Sequence, residues 1–250
     1  MTELLILRLE GPLQSWGLRS RWDPRDTGSE PSKSGVIGLL GCALGYPRND
    51  PRLEQLDAEL SFAVRLDRPG SVMVDFQTIT GFLPTADGGF KVAGITASVK
   101  LLKPEHKPTT IVSPRAYLQD AAFLVVLSGP SKTLRQCRDA LLSPRWPIYL
   151  GRRACPPTRP VFDRLTNDFN DTEQALSKWP WSFFAAILAS KSPPDKLEAF
   201  VEDPGGPARR PDAIRLNPAR MYGERRVRRL LVDRPDPEKG DPPCTYLVSS

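Results

Sequence analysis

The sequence has almost no histidine: its 250 residues include one, His106. That excludes two-histidine acid–base chemistry and any metal site built from several histidines. Cysteine is scarce too. Cys42, Cys137, Cys155 and Cys244 lie far apart, so there is no CxxC zinc or redox motif. Single scattered cysteines suit a reducing cytoplasm. Long apolar runs are missing. Leu4-Leu5-Ile6-Leu7 is too short for a signal peptide and lacks a basic leader. Even a long run such as Phe183 to Ala189 is far below membrane-spanning length. The expectation is a cytoplasmic chain off the membrane, with no cofactor and no metal.

Arginine and proline are abundant instead. There are 27 prolines, and 25 arginines against 10 lysines, with a net charge of +6. Arginine in excess of lysine points to planar, bidentate recognition of phosphate or carboxylate. The charge is uneven. Residues 1–125 carry 14 basic and 14 acidic side chains. Residues 209–234 carry nine arginines against Asp212, Glu224 and Asp233, which is +6 in that window alone. Arg145, Arg152, Arg153, Arg159 and Arg164 form a second cluster, opposed only by Asp163. Localised positive charge suits a polyanion such as nucleic acid, or an acidic protein neighbour.

Hydrophobic patterning predicts the elements. Leu4–Leu9 reads as a buried strand ending at Glu10-Gly11-Pro12. Ser32 or Ser34 caps a helix that runs to about Leu44, with Gly45 and Pro47 as stop signals. Ser61–Asp67 is a second strand. Val72–Phe82 and Phe90–Leu102 read as the arms of a hairpin turning at residues 85–89. Ala121–Leu127 is a strong buried strand, and Ser131–Leu142 an amphipathic helix capped at Ser131. Phe183–Ala189 reads as another buried strand, and Leu197–Val201 as one more. Residues 192–213 and 233–243 read as proline-rich linkers around the arginine block. The β-α-β-β-α-β order predicts an α+β fold of the ferredoxin-like type shared with RNA-recognition domains.

Several residues carry candidate chemistry. Gln14, Ser15 and Trp16 follow the first strand and suit base stacking and hydrogen bonding; the alternative is a tryptophan plugging the core. Gly38, Gly41 and Gly45 share one helix face, for tight packing or for close approach of a partner. Pro31-Ser32-Lys33-Ser34-Gly35 at the helix start offers free N–H groups, hydroxyls and a lysine to a phosphate. Arg152 and Arg153 follow a glycine and can straddle a phosphate backbone or make surface salt bridges. Arg115 and Tyr117 share a side if that segment is extended. Catalysis has few candidates: His106, Lys107, Tyr117 and Tyr46.

Five segments resemble a known family when taken together: LRLEGPLQSWG (7–17), PSKSGVIGLLGCALG (31–45), SFAVRLD (61–67), RAYLQDAAFLV (115–125) and PIYLGRRACPP (147–157). They resemble the CasD subunit family of type I-E CRISPR surveillance complexes, Cascade, over most of residues 1–160. RMYGERRVRRLLV (220–232) is similar to that family's basic C-terminal strand. The resemblance implies an RRM-like domain over residues 1–190, a β-hairpin thumb at about 72–112, and an irregular basic extension over 191–250. It implies a non-catalytic subunit that holds the 5′ handle of CRISPR RNA, caps the backbone, touches backbone and large subunits, and lies near target DNA. The implied RNA contacts are Gln14, Ser15, Trp16, Arg19, Arg21, Lys33, Ser34, Phe76, Gln77, Lys107, Arg115, Tyr117, Arg152 and Arg153. The arginine-dense block is expected to grip RNA backbone or an acidic neighbour. A related branch cuts precursor RNA with aromatic, lysine and histidine side chains, so a metal-independent endoribonuclease is the alternative.

Overall fold

A computed structural model describes residues 3–17, 25–189, 193–216 and 221–238. In chain order the elements are β1 (Leu4–Gln14), α1 (Lys33–Leu44), α2 (Pro51–Glu59), β2 (Ser61–Arg68), β3 (Ser71–Gly81), β4 (Leu83–Pro84), β5 (Phe90–Lys91), β6 (Thr109–Ser128) and α3 (Ser131–Leu142). There follow β7 (Phe162–Thr166), α4 (Thr172–Lys178), α5 (Phe183–Ile187), β8 (Lys196–Glu202), β9 (Ala208–Arg215) and β10 (Met221–Asp233). One antiparallel sheet runs β7-β1-β6-β2-β8-β10-β9, and β3 pairs with the outer half of β6.

The alternation of side chains along each strand gives the sheet two faces. Leu5, Leu7, Leu9, Phe62, Val64, Phe123 and Val125 pack against α1, α2 and α3 in the main core. Leu4, Ile6, Ala63, Leu124 and Val126 face the other way, onto Ala175, Leu176 and Trp179. That back face also holds two fully buried arginines, Arg8 and Arg65. Arg8 donates to Asp67 Oδ2 at 2.8 Å and Asp163 Oδ2 at 3.1 Å, and pairs with Glu238 at 2.8 Å. Arg65 donates to Asp67 Oδ1 at 2.6 Å and to the carbonyls of Leu176, Trp179 and Pro180. Burial lowers the Arg8 pKa, but the surrounding carboxylates more than offset this, and the net direction is upward. Buried guanidinium groups therefore bolt the 176–182 segment to the sheet, where apolar packing alone gives no directional bond.

Four expectations are corrected. First, β1 does not stop at Leu9: pairing continues to Leu13 with Gln119 and Gln14 with Leu118. Second, the thumb's arms are β3 and the outer half of β6, paired from Ser71–Gln119 to Gly81–Thr109. Residues 92–108 are mostly turns and only Phe90–Lys91 forms the short β4–β5 ribbon, which closes through Thr85 N–H to the Gly89 carbonyl at 2.8 Å. Third, Phe183–Ile187 is a helix, because Ser182 Oγ accepts from Ala185 N–H at 3.1 Å and caps it. Fourth, the C-terminal extension is not irregular. β8 pairs with β2 through Ala63–Val201, β10 with β8, and β9 with β10, so the sheet runs across the expected boundary at residue 190. α2, with its Asp50 cap and first-turn Pro51, is an element the sequence reading did not propose.

Candidate nucleic-acid interface

An open cleft of about 1460 Å³ lies over the exposed side of α1. Its floor is helix backbone. Ser32 Oγ accepts from Gly35 N–H at 3.2 Å and starts α1, and Gly45, with φ +75°, ends it. Glycine inside a helix costs about 1 kcal/mol relative to alanine. Two of the helix glycines have a packing reason: a Cβ at Gly35 would lie 2.8 Å from the Trp16 ring, and one at Gly41 2.3 Å from Leu53. A Cβ at Gly38 would meet nothing within 4 Å. The expected shared glycine face thus divides into packed positions and one open position.

The rim is arginine and aromatic. Arg25, Arg48, Arg152 and Arg153 line the cleft against a single acid, Asp26. Tyr46, Trp146, Tyr149 and Tyr222 line it as well, with Trp146 41% and Tyr222 49% exposed. The 150–156 loop is docked on the end of β1: Ser15 N–H donates to the Leu150 carbonyl at 3.0 Å, and Leu150 N–H to the Cys155 carbonyl at 2.7 Å. Gly151 makes the docking possible. Its φ is +90°, and a Cβ there would sit 1.8 Å from the Ser15 carbonyl oxygen.

The predicted contact residues divide sharply. Ser15, Trp16, Ser34, Arg152 and Arg153 line the cleft, but only some present a usable group. Arg153 is exposed. Arg152 is consumed by the fold: it donates to the carbonyls of Ala116 at 2.9 Å, Arg25 at 3.2 Å and Asp26 at 3.2 Å. Its guanidinium also stacks on Tyr117, 4.7 Å from the ring centre. It ties the thumb base to the rim, which corrects its expected role on phosphate. Tyr117 is buried beneath it and is not a base contact. Gln14 is corrected likewise: it is fully buried, donates to the carbonyls of Leu9 and Ala121, and accepts from Trp16 Nε1 at 3.0 Å. Trp16 is 1% exposed and plugs the core under Gly35, so its bland alternative holds.

The expected phosphate site at the start of α1 is filled by the chain itself. Lys33 N–H donates to Asp212 Oδ2 at 2.8 Å, and Lys33 Nζ reaches both oxygens of Glu202 at 3.1 Å. Lys33 is buried, which removes it as an RNA contact. Phe76, Gln77 and Lys107 lie on the thumb, away from the cleft lining. Phe76 is 69% exposed in a row with Val72 and Val74, whereas Gln77 points from the opposite face and donates to Asp75 at 3.0 Å. Arg115 stands opposite Asp75 on that polar face, on the same side as Tyr117 as expected. Arg19 and Arg21 lie outside the described residues. His106 sits in the thumb tip, where its Nδ1 accepts from Lys103 N–H at 3.0 Å. Reading the sequence missed Arg25, Arg48, Trp146, Tyr149, Met221 and Tyr222 as interface residues. Arg145-Trp146-Pro147-Ile148-Tyr149, just ahead of the Gly151 turn, was the available signal.

An antiparallel sheet with α1–α3 on one face and α4 on the other, a thumb hairpin and an arginine- and aromatic-rimmed cleft define a mixed α/β class. The family model "CRISPR-associated protein (Cas_Cas5)" matches residues 4–228. The chain is 38% identical over 182 residues to the CRISPR system Cascade subunit CasD of Escherichia coli (strain K12), covering 70% of this chain and 76% of that protein. A solved structure titled "CRISPR RNA-guided surveillance complex" superposes with a TM-score of 0.69 at 32% identity, over 92% of this chain and 90% of its counterpart. Another, "Crystal structure of Cas protein", gives 0.64 at 32% identity, over 93% of this chain and 98% of the other. The chain belongs to the Cas5 family of CRISPR-associated proteins, as the segments quoted above led one to expect.

Proposed function

We propose that this chain is a non-catalytic subunit of a type I-E Cascade that holds the 5′ handle of CRISPR RNA in the cleft over α1. The observation that carries this reading is the cleft itself: Arg25, Arg48 and Arg153 with one acid and half-exposed aromatic rings around an open helix floor, its rim held by Arg152. Arginine forks suit phosphates, and exposed rings suit unstacked bases. The first relative is a Cascade subunit by name, and a similar structure is an RNA-guided complex by title. The thumb, with Val72, Val74 and Phe76 exposed, reaches toward neighbouring subunits or target DNA.

The strand order β7-β1-β6-β2, with α1 and α3 in the crossovers, supports a ferredoxin-like, RRM-like core. RNA-recognition domains stack bases on the sheet face away from the helices. In this chain that face lies under α4, Trp179 and the buried Arg8–Arg65 network. RNA binding therefore moves from the sheet to the cleft.

No cleavage is proposed. His106 is in the thumb tip and outside the cleft lining, and of the four catalytic candidates only Tyr46 lines the cleft, with no histidine or lysine beside it among the described residues. The test pairs two assays on the purified full chain. A labelled single-stranded RNA carrying the 5′ handle should bind, with affinity falling steeply between about 50 and 200 mM salt. In EDTA the same RNA, extended to the whole repeat, should stay intact. Affinity no better than for a scrambled strand would sink the handle reading. One specific cut, lost in His106→Ala, would replace it with the endoribonuclease.

A further inference from the structure

Of the glycines inside α1, Gly38 is the one the fold does not require. Gly35 makes room for Trp16 and Gly41 for Leu53, whereas Gly38 has empty space where a side chain would go. That space belongs to the cleft. The same cleft takes Trp146, Tyr149 and Arg153 from the loop after α3, and Met221 and Tyr222 from the start of β10. Trp146, Met221 and Tyr222 are each more than two-fifths exposed. Bare helix backbone, exposed rings and a thioether thus line one cleft, and Arg153 adds a cation to it. A planar heterocycle with a phosphate attached fits that chemistry. A duplex does not, because its bases are already stacked and paired.

We propose that Gly38 floors a subsite for one unpaired nucleobase, which lies flat on α1 between the rings of the 146–149 loop and Met221 and Tyr222 of β10 while Arg153 takes its phosphate. This rests on the reading of the cleft as the RNA site and adds which part of the strand is gripped by stacking. It also gives the C-terminal ribbon a share in the interface through Met221 and Tyr222, two uncharged side chains of an arginine-dense block.

The test uses the full chain, the labelled handle RNA, and a set of the same RNAs each lacking one base. Wild type should lose about 5- to 150-fold in affinity when one particular base is missing, the range expected for a stacked base. Gly38→Leu fills the slot. It should bind the intact RNA at least about tenfold more weakly, stop distinguishing the abasic strand, and keep the wild-type salt slope, since no phosphate contact is removed. Gly38→Ala guards against misfolding. It should raise Tm by about 2–4 °C, because alanine favours the helix and meets nothing, yet still weaken binding about threefold. A variant pair that is stable and binds within about twofold of wild type overturns the subsite and leaves the cleft reading standing. A wild type that does not bind the handle RNA overturns both.

Discussion

Two regions of this molecule are rich in arginine, and they use it differently. In the β9–β10 ribbon the arginines hold the protein together. Arg225 pairs with Asp212 at 2.7 Å, Arg228 with Glu173 at 2.6 Å and Asp203 at 3.0 Å, and Arg209 with Glu224 at 3.2 Å. Arg210 pairs with Glu30, and Arg229 with Glu198. Arg215, Arg226 and Arg234 donate to backbone carbonyls. Glu30, Glu173, Glu198 and Asp203 all lie outside the window that made this stretch look so basic. The acidic neighbour expected for the block is thus largely the chain itself. Around the cleft, Arg152 is likewise tied to carbonyls, but Arg153 stands exposed and the lining holds one acid, Asp26. A count of charge along the chain misses this, because a sheet pairs residues across the chain.

Removing a ribbon arginine should therefore injure the fold and spare RNA binding. The largest effect is expected at Arg225, whose guanidinium is nearly buried against the 2% exposed Asp212. Arg225→Ala leaves that carboxylate buried without its cation, a loss of about 3 kcal/mol in chemical denaturation. The fraction that remains folded should bind handle RNA with wild-type affinity. A stable Arg225→Ala protein with impaired RNA binding would erase the distinction between the two regions.

Next in size is an acid at the same seam that the ribbon leaves unsatisfied. Asp57 is buried beneath β9. Its Oδ2 accepts from Ile214 N–H at 3.2 Å, while Oδ1 has no hydrogen-bond partner. Burial raises its pKa to about 6, although nearby Lys33 pulls the other way. A carboxyl whose folded pKa exceeds its unfolded value near 4 loses stability as pH rises between the two, and the loss is complete above about 6. Asp57→Asn keeps an acceptor for Ile214 and removes the buried charge. It should stabilise the protein by about 2 kcal/mol at pH 7.5 and by nothing near pH 4. Melting curves across that range check it; equal gains at both ends would mean the carboxylate is not strained.

The same contrast explains what could be read from residue order. α1 was legible because Ser32 and Gly45 mark its ends locally, and the buried strand around Ala121–Leu127 because its run of apolar side chains admits little else. Most of β9 falls in a stretch that reads as linker and β10 in one that reads as an arginine block, because adjacent arginine pairs break the alternation of a half-buried strand and most of the partners that neutralise them lie far away in sequence. Phe183–Ile187 was misread because a short apolar run has no period to separate helix from strand; only the Ser182 cap decides. At the cleft, residue types pointed to several of the segments that line it. Availability did not show. Gln14, Lys33, Tyr117 and Arg152 have the chemistry for RNA, but the fold has already used their polar atoms or covered their rings.

The sharpest comparison sets one exposed arginine from each region against the other. Arg153 and Arg209 are both exposed, so neither should matter to stability by more than about 0.5 kcal/mol. Arg209 pairs with Glu224 in solvent, where an ion pair contributes little. Arg153 stands on the cleft rim among groups suited to a phosphate chain. Arg153→Ala should weaken handle binding about five- to tenfold and lower the slope of log affinity against log salt by roughly 1, the signature of one lost phosphate contact. Arg209→Ala should leave affinity and slope where they were. Titrations of both variants at several salt concentrations decide the matter. If the two arginines lower the slope equally, RNA feels the protein's overall charge and the cleft confers no particular register. If only Arg153 does, position in the fold has outweighed the chain's densest run of positive charge.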